Sequence, residues 1–250
     1  MNTKIISIAN HKGGVGKTTS VACIGLALAR KGKRVLIVDL DAQANLTSFF
    51  LPDETEEEAR NSVYDSLTAS TPLPLYDVAE NLQLCPSSLD MATIELALSG
   101  RMAREMIIRD LLASIKANYD YILLDCPPSL GVITTNAFVA STDIYIPLTA
   151  EALPLKGMKM LDDVVDAVRR INGDTKITGV FFTRYNNRSL NKIVHDAVAQ
   201  NYGDVLFKTK IRENISVAET PAAGGNIFEY APSSNGAVDY MALTDEILNR

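Results

Sequence analysis

Two kinds of apolar pattern alternate along this chain. Short, mostly apolar runs occur at 4–10, 35–38, 82–86, 121–125, 143–148, 176–183 and 205–207. Such runs predict buried strands. Between them, apolar residues three and four apart predict helices over 18–31, about 90–117 with a break at Gly100, 157–171, 189–202 and 235–249. Lys31-Gly32-Lys33 closes the first helix with basic residues and a glycine. Val35-Leu36-Ile37-Val38 is apolar throughout, as in a strand covered on both faces. Alternation of strands and helices gives a parallel sheet. The expected fold class is α/β: a doubly wound, mostly parallel sheet with helices on both faces, in one domain over 1–250.

The stretch 52–62 breaks the pattern. It is acidic and poor in apolar residues, from Pro52-Asp53-Glu54 through Glu58, and predicts a solvated loop or short exposed helix. Composition narrows the function classes. With 250 residues and 47% hydrophobic content, one full core is affordable. A net charge of −6 argues against a generally basic nucleic-acid binder and leaves room only for a local basic patch. Cys23, Cys85 and Cys126 lie far apart, without the spacing of a zinc site or disulfide framework. The N-terminal MNTKIISIANHKGG lacks a signal-peptide pattern, and no run approaches the roughly 18 apolar residues of a membrane span. A reducing cytoplasm and no membrane partner are expected.

Candidate chemistry begins at Lys12-Gly13-Gly14-Val15-Gly16-Lys17-Thr18-Thr19. A glycine-rich turn between a strand and a helix, ending in Lys-Thr, lets main-chain N–H groups and the helix N-terminus cradle phosphates. Lys17 can reach the β- and γ-phosphates, and the Thr18 hydroxyl can ligate Mg²⁺. Two further strands end in carboxylates: Asp39 and Asp41 after the second, Asp125 after 121–124. Ligands of open α/β sheets bind outside the carboxyl ends of the strands, so these groups converge where a γ-phosphate and Mg²⁺ would sit. Asp125 has the setting of a Walker B carboxylate. His11, His195 and Cys126 have no partners suggesting metal or triad chemistry.

The phosphate loop departs from G-x-x-x-x-G-K-[ST]: His11 stands at the first glycine position, and a second lysine, Lys12, opens the loop. This form resembles the deviant Walker A motif of the ParA/MinD class of P-loop ATPases. Pro86-Ser87-Ser88-Leu89-Asp90 and the block from Asp120-Tyr121 to Pro128-Ser129-Leu130 are similar to stretches of ParA/Soj-type proteins. So are Glu219-Thr220-Pro221, Tyr230-Ala231-Pro232 and Ser234-Asn235-Gly236-Ala237. The resemblance runs over nearly the whole chain, to the ParA/Soj-type partitioning ATPases.

It implies a P-loop NTPase fold that binds ATP with Mg²⁺ and forms a homodimer around two nucleotides. Lys12 would reach the partner's ATP, and Asp41, the second aspartate of Asp39-Leu40-Asp41-Ala42-Gln43, would position the attacking water. Thr18, Asp39 and Asp125 would hold the metal. Gly13 through Thr19 would hold the phosphates, and Arg184, Asn186, Ile211, Arg212 and Asn214 would border the adenine. Implied partners are a ParB-type centromere-binding protein and non-specific duplex DNA, hence association with the nucleoid. One departure bears on DNA: Glu213 and Ser216 stand where the family often carries arginines. Other basic candidates are Lys156, Lys159, Arg188, Lys192, Lys208 and Lys210, with Arg184 and Arg212. Alternative readings are a MinD-like membrane-cycling ATPase, disfavoured by the acidic 239–250 segment, an iron–sulfur relative, which lacks paired cysteines, and a nucleotide-dependent scaffold with little turnover.

Overall fold

The computed structural model describes residues 3–51, 61–150, 154–186 and 188–250. Seven strands form one sheet: β1 Lys4–Ile8, β2 Val35–Asp39, β3 Tyr76–Ala79, β4 Leu82–Cys85, β5 Tyr121–Asp125, β6 Asp143–Thr149 and β7 Lys176–Thr183, in the order β3-β4-β2-β5-β1-β6-β7. All neighbours pair in parallel except β3, which runs antiparallel to β4 as a short edge strand. The doubly wound parallel sheet read from the apolar pattern is present.

The α-helices are α1 Lys17–Arg30, α2 Asn45–Phe50, α3 Val63–Ala69, α4 Ile94–Ala97, α5 Ile107–Ala113, α6 Val132–Ala140, α7 Pro154–Val168, α8 Ser189–Tyr202, α9 Ile215–Glu219, α10 Ile227–Tyr230 and α11 Asn235–Leu248. Successive side chains of a strand point to opposite faces, which divides the core into two layers. On one face Ile6, Ile8, Val35, Ile37 and Leu123 pack against α1, α2, α10 and α11. On the other, Ile5, Leu36, Val38, Ile122 and Leu124 pack against α3 to α8. No helix among the described residues is long and apolar enough to cross a membrane.

The long helix expected over 90–117 is absent. Two short α-helices and three 3₁₀ turns take its place, with Ala103 in the left-handed region at φ 52°. Asn136 of α6 supplies a physical reason, because it takes over backbone groups a continuous helix would use. Its amide donates to the Arg104 carbonyl, and its oxygen accepts from the Ile108 N–H. The strand expected at 205–207 reduces to a single bridge between Val180 and Leu206. Helices α2 and α3 and strand β3 are too short to leave a periodic signal. Most of the acidic 52–62 stretch lies outside the described residues, but Ser62 starts α3 in a reciprocal cap with Asp65. His195 is three-quarters covered, with its ring centroid 5.5 Å from that of Phe182.

Candidate functional site

The sheet order places β5 between β1 and β2, so the loops after all three strands meet at one edge. Ile8 and Asp39 are both register partners of Asp125. The chain turns from β1 into α1 through Gly14 and Gly16, at φ 74° and 81°. Only glycine adopts that region without strain. Gly16 caps α1 without any side-chain hydrogen bond, and the first turn carries no acidic residue. The first amides of α1 are therefore open to an anion, and the helix dipole favours one.

Two polar residues that sequence reasoning missed shape this loop. Buried Asn10 accepts from the Lys12 N–H at 3.0 Å and donates to the Pro147 carbonyl at 2.8 Å. Thr183, at the end of β7, donates to the Val15 carbonyl at 2.8 Å. Nothing in the sequence marks either one, since each is a single polar residue at the end of an apolar strand. Lys17 is buried, with its ammonium 3.3 Å from the Lys12 carbonyl. Burial lowers its pKa, against the pull of Asp125, Cys126 and Asp41. Lys12 lies exposed at the rim of the loop.

Asp125 is completely buried, and neither carboxylate oxygen has a hydrogen-bond partner within normal geometry. Burial raises its pKa well above the ordinary carboxylate value, and the neighbouring Asp39 adds to the rise. The Thr18 hydroxyl and Lys17 pull the other way. A buried, unpartnered carboxylate beside a hydroxyl is a poor arrangement by itself but a good one for a divalent cation, which supplies the missing charge. Asp39 is also buried, yet its oxygens are engaged. Oδ1 accepts from the Asp41 N–H at 3.1 Å, and Oδ2 accepts from the N–H and hydroxyl of Thr47, each at 2.8 Å. Its pKa is pushed up to about 6, chiefly by burial. Asp41 is half-buried and accepts from the Gln43 N–H at 3.0 Å in its own turn. The Cys126 thiol is pushed up to about 12, mainly by burial, and stays protonated and unreactive.

These raised pKa values have a measurable consequence. A carboxyl group whose folded pKa exceeds its unfolded one stabilises the fold below the unfolded pKa, and that stability is lost as pH rises through the folded pKa. Without nucleotide or divalent cation, the chain is expected to lose stability as pH rises from near 4 through about 6 and beyond, because Asp39 and Asp125 must ionise while buried. Asp125→Asn should raise the melting temperature at pH 8 and flatten that slope. Thermal scans across pH check this, and an unchanged slope in Asp125→Asn would refute it.

Two adjoining cavities lie over these groups. The first, of about 560 Å³, is lined by the phosphate loop, Lys17, Thr18, Asp41, Gln43 and Pro128, among others. The second, of about 390 Å³, is lined by Thr183, Arg184, Ile211, Arg212, Asn214 and Tyr240, among others. Gly14, Gly16, Thr19, Val217 and Ala218 line both. A phosphate cradle thus continues into a pocket with apolar walls, the shape a nucleoside triphosphate requires. Of the residues expected at the base, Arg184, Ile211, Arg212 and Asn214 line this pocket, and Asn214 has a buried Oδ1 without a hydrogen-bond partner. Asn186 does not line it. It accepts from the Arg188 N–H and the Asn191 side chain, bracing the start of α8. Arg212 is held by Asp239 of α11 at 2.7 Å, and Arg184 faces Glu213 at 3.9 Å.

The sheet, the phosphate loop and the opposed carboxylate define a P-loop nucleoside triphosphate-binding protein. Residues 3–177 match the model of the AAA domain family. The sporulation initiation inhibitor protein Soj of Bacillus subtilis is 39% identical over 98% of both chains. Among solved structures, cobyrinic acid a,c-diamide synthase of Mycobacterium smegmatis with bound ADP and magnesium has a TM-score of 0.85 at 32% identity, covering 98% of this chain and 94% of that one. A putative plasmid partition protein of Borrelia burgdorferi, bound to AMPPNP, has a TM-score of 0.84 at 26% identity over 99% of each chain. The chain belongs to the AAA domain family and, within it, to the Soj/ParA group of P-loop ATPases.

Proposed function

We propose that this protein binds Mg-ATP, dimerises around two nucleotides and hydrolyses them slowly, acting in plasmid or chromosome partition. The observation that carries the reading is the buried, unpartnered Asp125 facing Thr18 and Lys17 across the mouth of the phosphate loop. The residues present fit magnesium. Thr18 would ligate it, and Asp125 and Asp39 would support its coordination shell. Bound there, the ion would neutralise charge on the transferring phosphate. Gly13 to Thr19 present main-chain donors to the phosphates, and Lys17 draws charge off the β- and γ-oxygens. Arg184, Ile211, Arg212 and Asn214 enclose the base. Asp41 lies beside the γ-phosphate position, where a carboxylate orients the attacking water. Hydrolysis then shifts the dimer–monomer equilibrium, provided ATP binds the dimer far better than the monomer.

Duplex DNA and a ParB-type protein are the proposed partners. Arg184 and Arg212 are occupied by Glu213 and Asp239, and Lys210 lies over the Tyr185 ring at 4.6 Å. Of the basic candidates named from the sequence, Lys156, Lys159, Arg188, Lys192 and Lys208 remain for phosphates, all exposed. A dimer doubles that count, so affinity would fall steeply with salt. The membrane-cycling alternative is disfavoured because α11 packs on α1 and buries Tyr240, Leu243 and Ile247. The test is phosphate release with and without duplex DNA, at low and moderate salt. Stimulation by DNA that fades with salt supports the reading, and the absence of any ATP hydrolysis overturns it.

Lys12 separates this mechanism from that of an ordinary P-loop enzyme. Two ATP molecules facing each other bring like charges together, and an extra cation at the loop rim is needed there. Lys12→Ala is expected to keep nucleotide binding but lose ATP-dependent dimerisation and hydrolysis. Size-exclusion light scattering in the Asp41→Ala background checks this, and a persisting dimer would remove Lys12 from the interface.

A further inference from the structure

The five residues between β2 and α2 carry Asp41; Leu40 is buried with its N–H on the Asp125 carbonyl, and the Ala44 N–H closes a turn on the Asp41 carbonyl. Ala44 sits at φ 49°, a left-handed conformation unfavourable for a residue with a β-carbon, and α2 lacks a side-chain cap of its own. The Asp39 side chain ties the two ends of this loop together. One carboxylate oxygen takes the Asp41 N–H at the start of the loop, and the other takes the Thr47 N–H and hydroxyl beyond its end.

The Thr47 hydroxyl is oriented by a second partner. It accepts from the Ser87 N–H at 2.9 Å. An amide can only donate, so the hydroxyl proton must point to Asp39. Ser87 lies in the loop after β4, the strand adjoining β2. Thr47 therefore ties the Asp39 carboxylate to two elements, α2 and the β4 loop, and fixes the oxygen arrangement that grips Asp41. Thr47 and Asp39 are both buried, so water does not stand in for either contact.

We infer that Thr47 is a positioning residue for hydrolysis, acting through Asp39 to set the backbone from which the Asp41 carboxylate meets the attacking water. This rests on the reading of the protein as an ATPase with Asp41 beside the water. Thr47 lines neither cavity and does not touch the nucleotide space. Valine is close to threonine in size but has no hydroxyl, and its N–H still reaches Asp39.

The experiment compares the wild type, Thr47→Val and Thr47→Ser in phosphate release, ATP affinity and hydrogen exchange without nucleotide. A misplacement of an angstrom near reacting atoms costs on the order of 10- to 100-fold in rate. Thr47→Val is therefore expected to lower kcat about 10- to 100-fold, with ATP affinity within about twofold of wild type. Amides in 40–47 should exchange faster, and those of α1 should not. Thr47→Ser should restore both rate and protection. Wild-type kcat in Thr47→Val, unchanged exchange at 40–47, or a serine variant as slow as the valine one would each overturn the inference. Loss of ATP affinity in parallel with kcat would also overturn it, by making Thr47 a residue of general stability. If the wild type itself releases no phosphate, the ATPase reading fails first. If it turns over and Thr47→Val matches it, only the role of Thr47 falls.

Discussion

Lys17→Ala should abolish useful ATP binding. The Lys17 ammonium is buried at the base of the phosphate loop, and burial already lowers its pKa. Such a site holds a cation at a cost because a ligand of opposite charge is meant to meet it. A hydrogen bond to a charged group contributes up to about 3 kcal/mol, which corresponds to a loss on the order of 100-fold in affinity. The true loss should be at least this large, because the triphosphate oxygens near Asp125 and Asp41 would lose the lysine that neutralises them beside the proposed magnesium. The fold should survive, since α1 is held by Val21, Ile24 and Leu28 rather than by Lys17. Equilibrium binding of a fluorescent ATP analogue, with circular dichroism to check folding, measures this. Wild-type affinity in the variant would remove the phosphate loop from nucleotide binding.

Asp41→Ala should have the opposite profile, with binding retained and hydrolysis lost. Asp41 is half-buried at the edge of the larger cavity, and its side chain accepts one bond in its own turn, from the Gln43 N–H. Its removal deletes one acceptor and breaks no buried network. A positioned general base typically contributes 10²–10⁴-fold, so kcat should fall by about that factor. The ATP-bound dimer should then accumulate, visible by sedimentation. Turnover at the wild-type rate would return Asp41 to the role of turn cap, which its bond to Gln43 already performs.

Fold and site were legible in the sequence to different depths. The central strands were readable because a strand covered on both faces must be apolar throughout, as 35–38 and 121–124 are. The phosphate loop was readable because it needs glycine at the positive-φ positions Gly14 and Gly16. The false helix over 90–117 came from apolar spacing alone. Met91, Ile94, Leu98, Ile107 and Leu112 are buried as the spacing implied, but Asn136, some thirty residues away, captures the backbone between them. Asn10, Thr47 and Thr183 were invisible for a related reason. Each acts through a partner distant in sequence, and a lone polar residue carries no periodicity. Asp39 was read as a metal-site residue because it ends a strand beside a phosphate loop. Its three accepted hydrogen bonds add a second duty that only tertiary contact reveals.

The bond from Thr183 to Val15 joins the last parallel strand to the turn that receives the phosphates. The same threonine lines the pocket proposed for the base. In the proposed complex, the two ends of the nucleotide would share one latch in the sheet. A group that displaced Thr183 there would also disturb its bond to the phosphate turn. Discrimination among nucleotides would then act on the geometry of the reacting end, not only on how long the ligand stays.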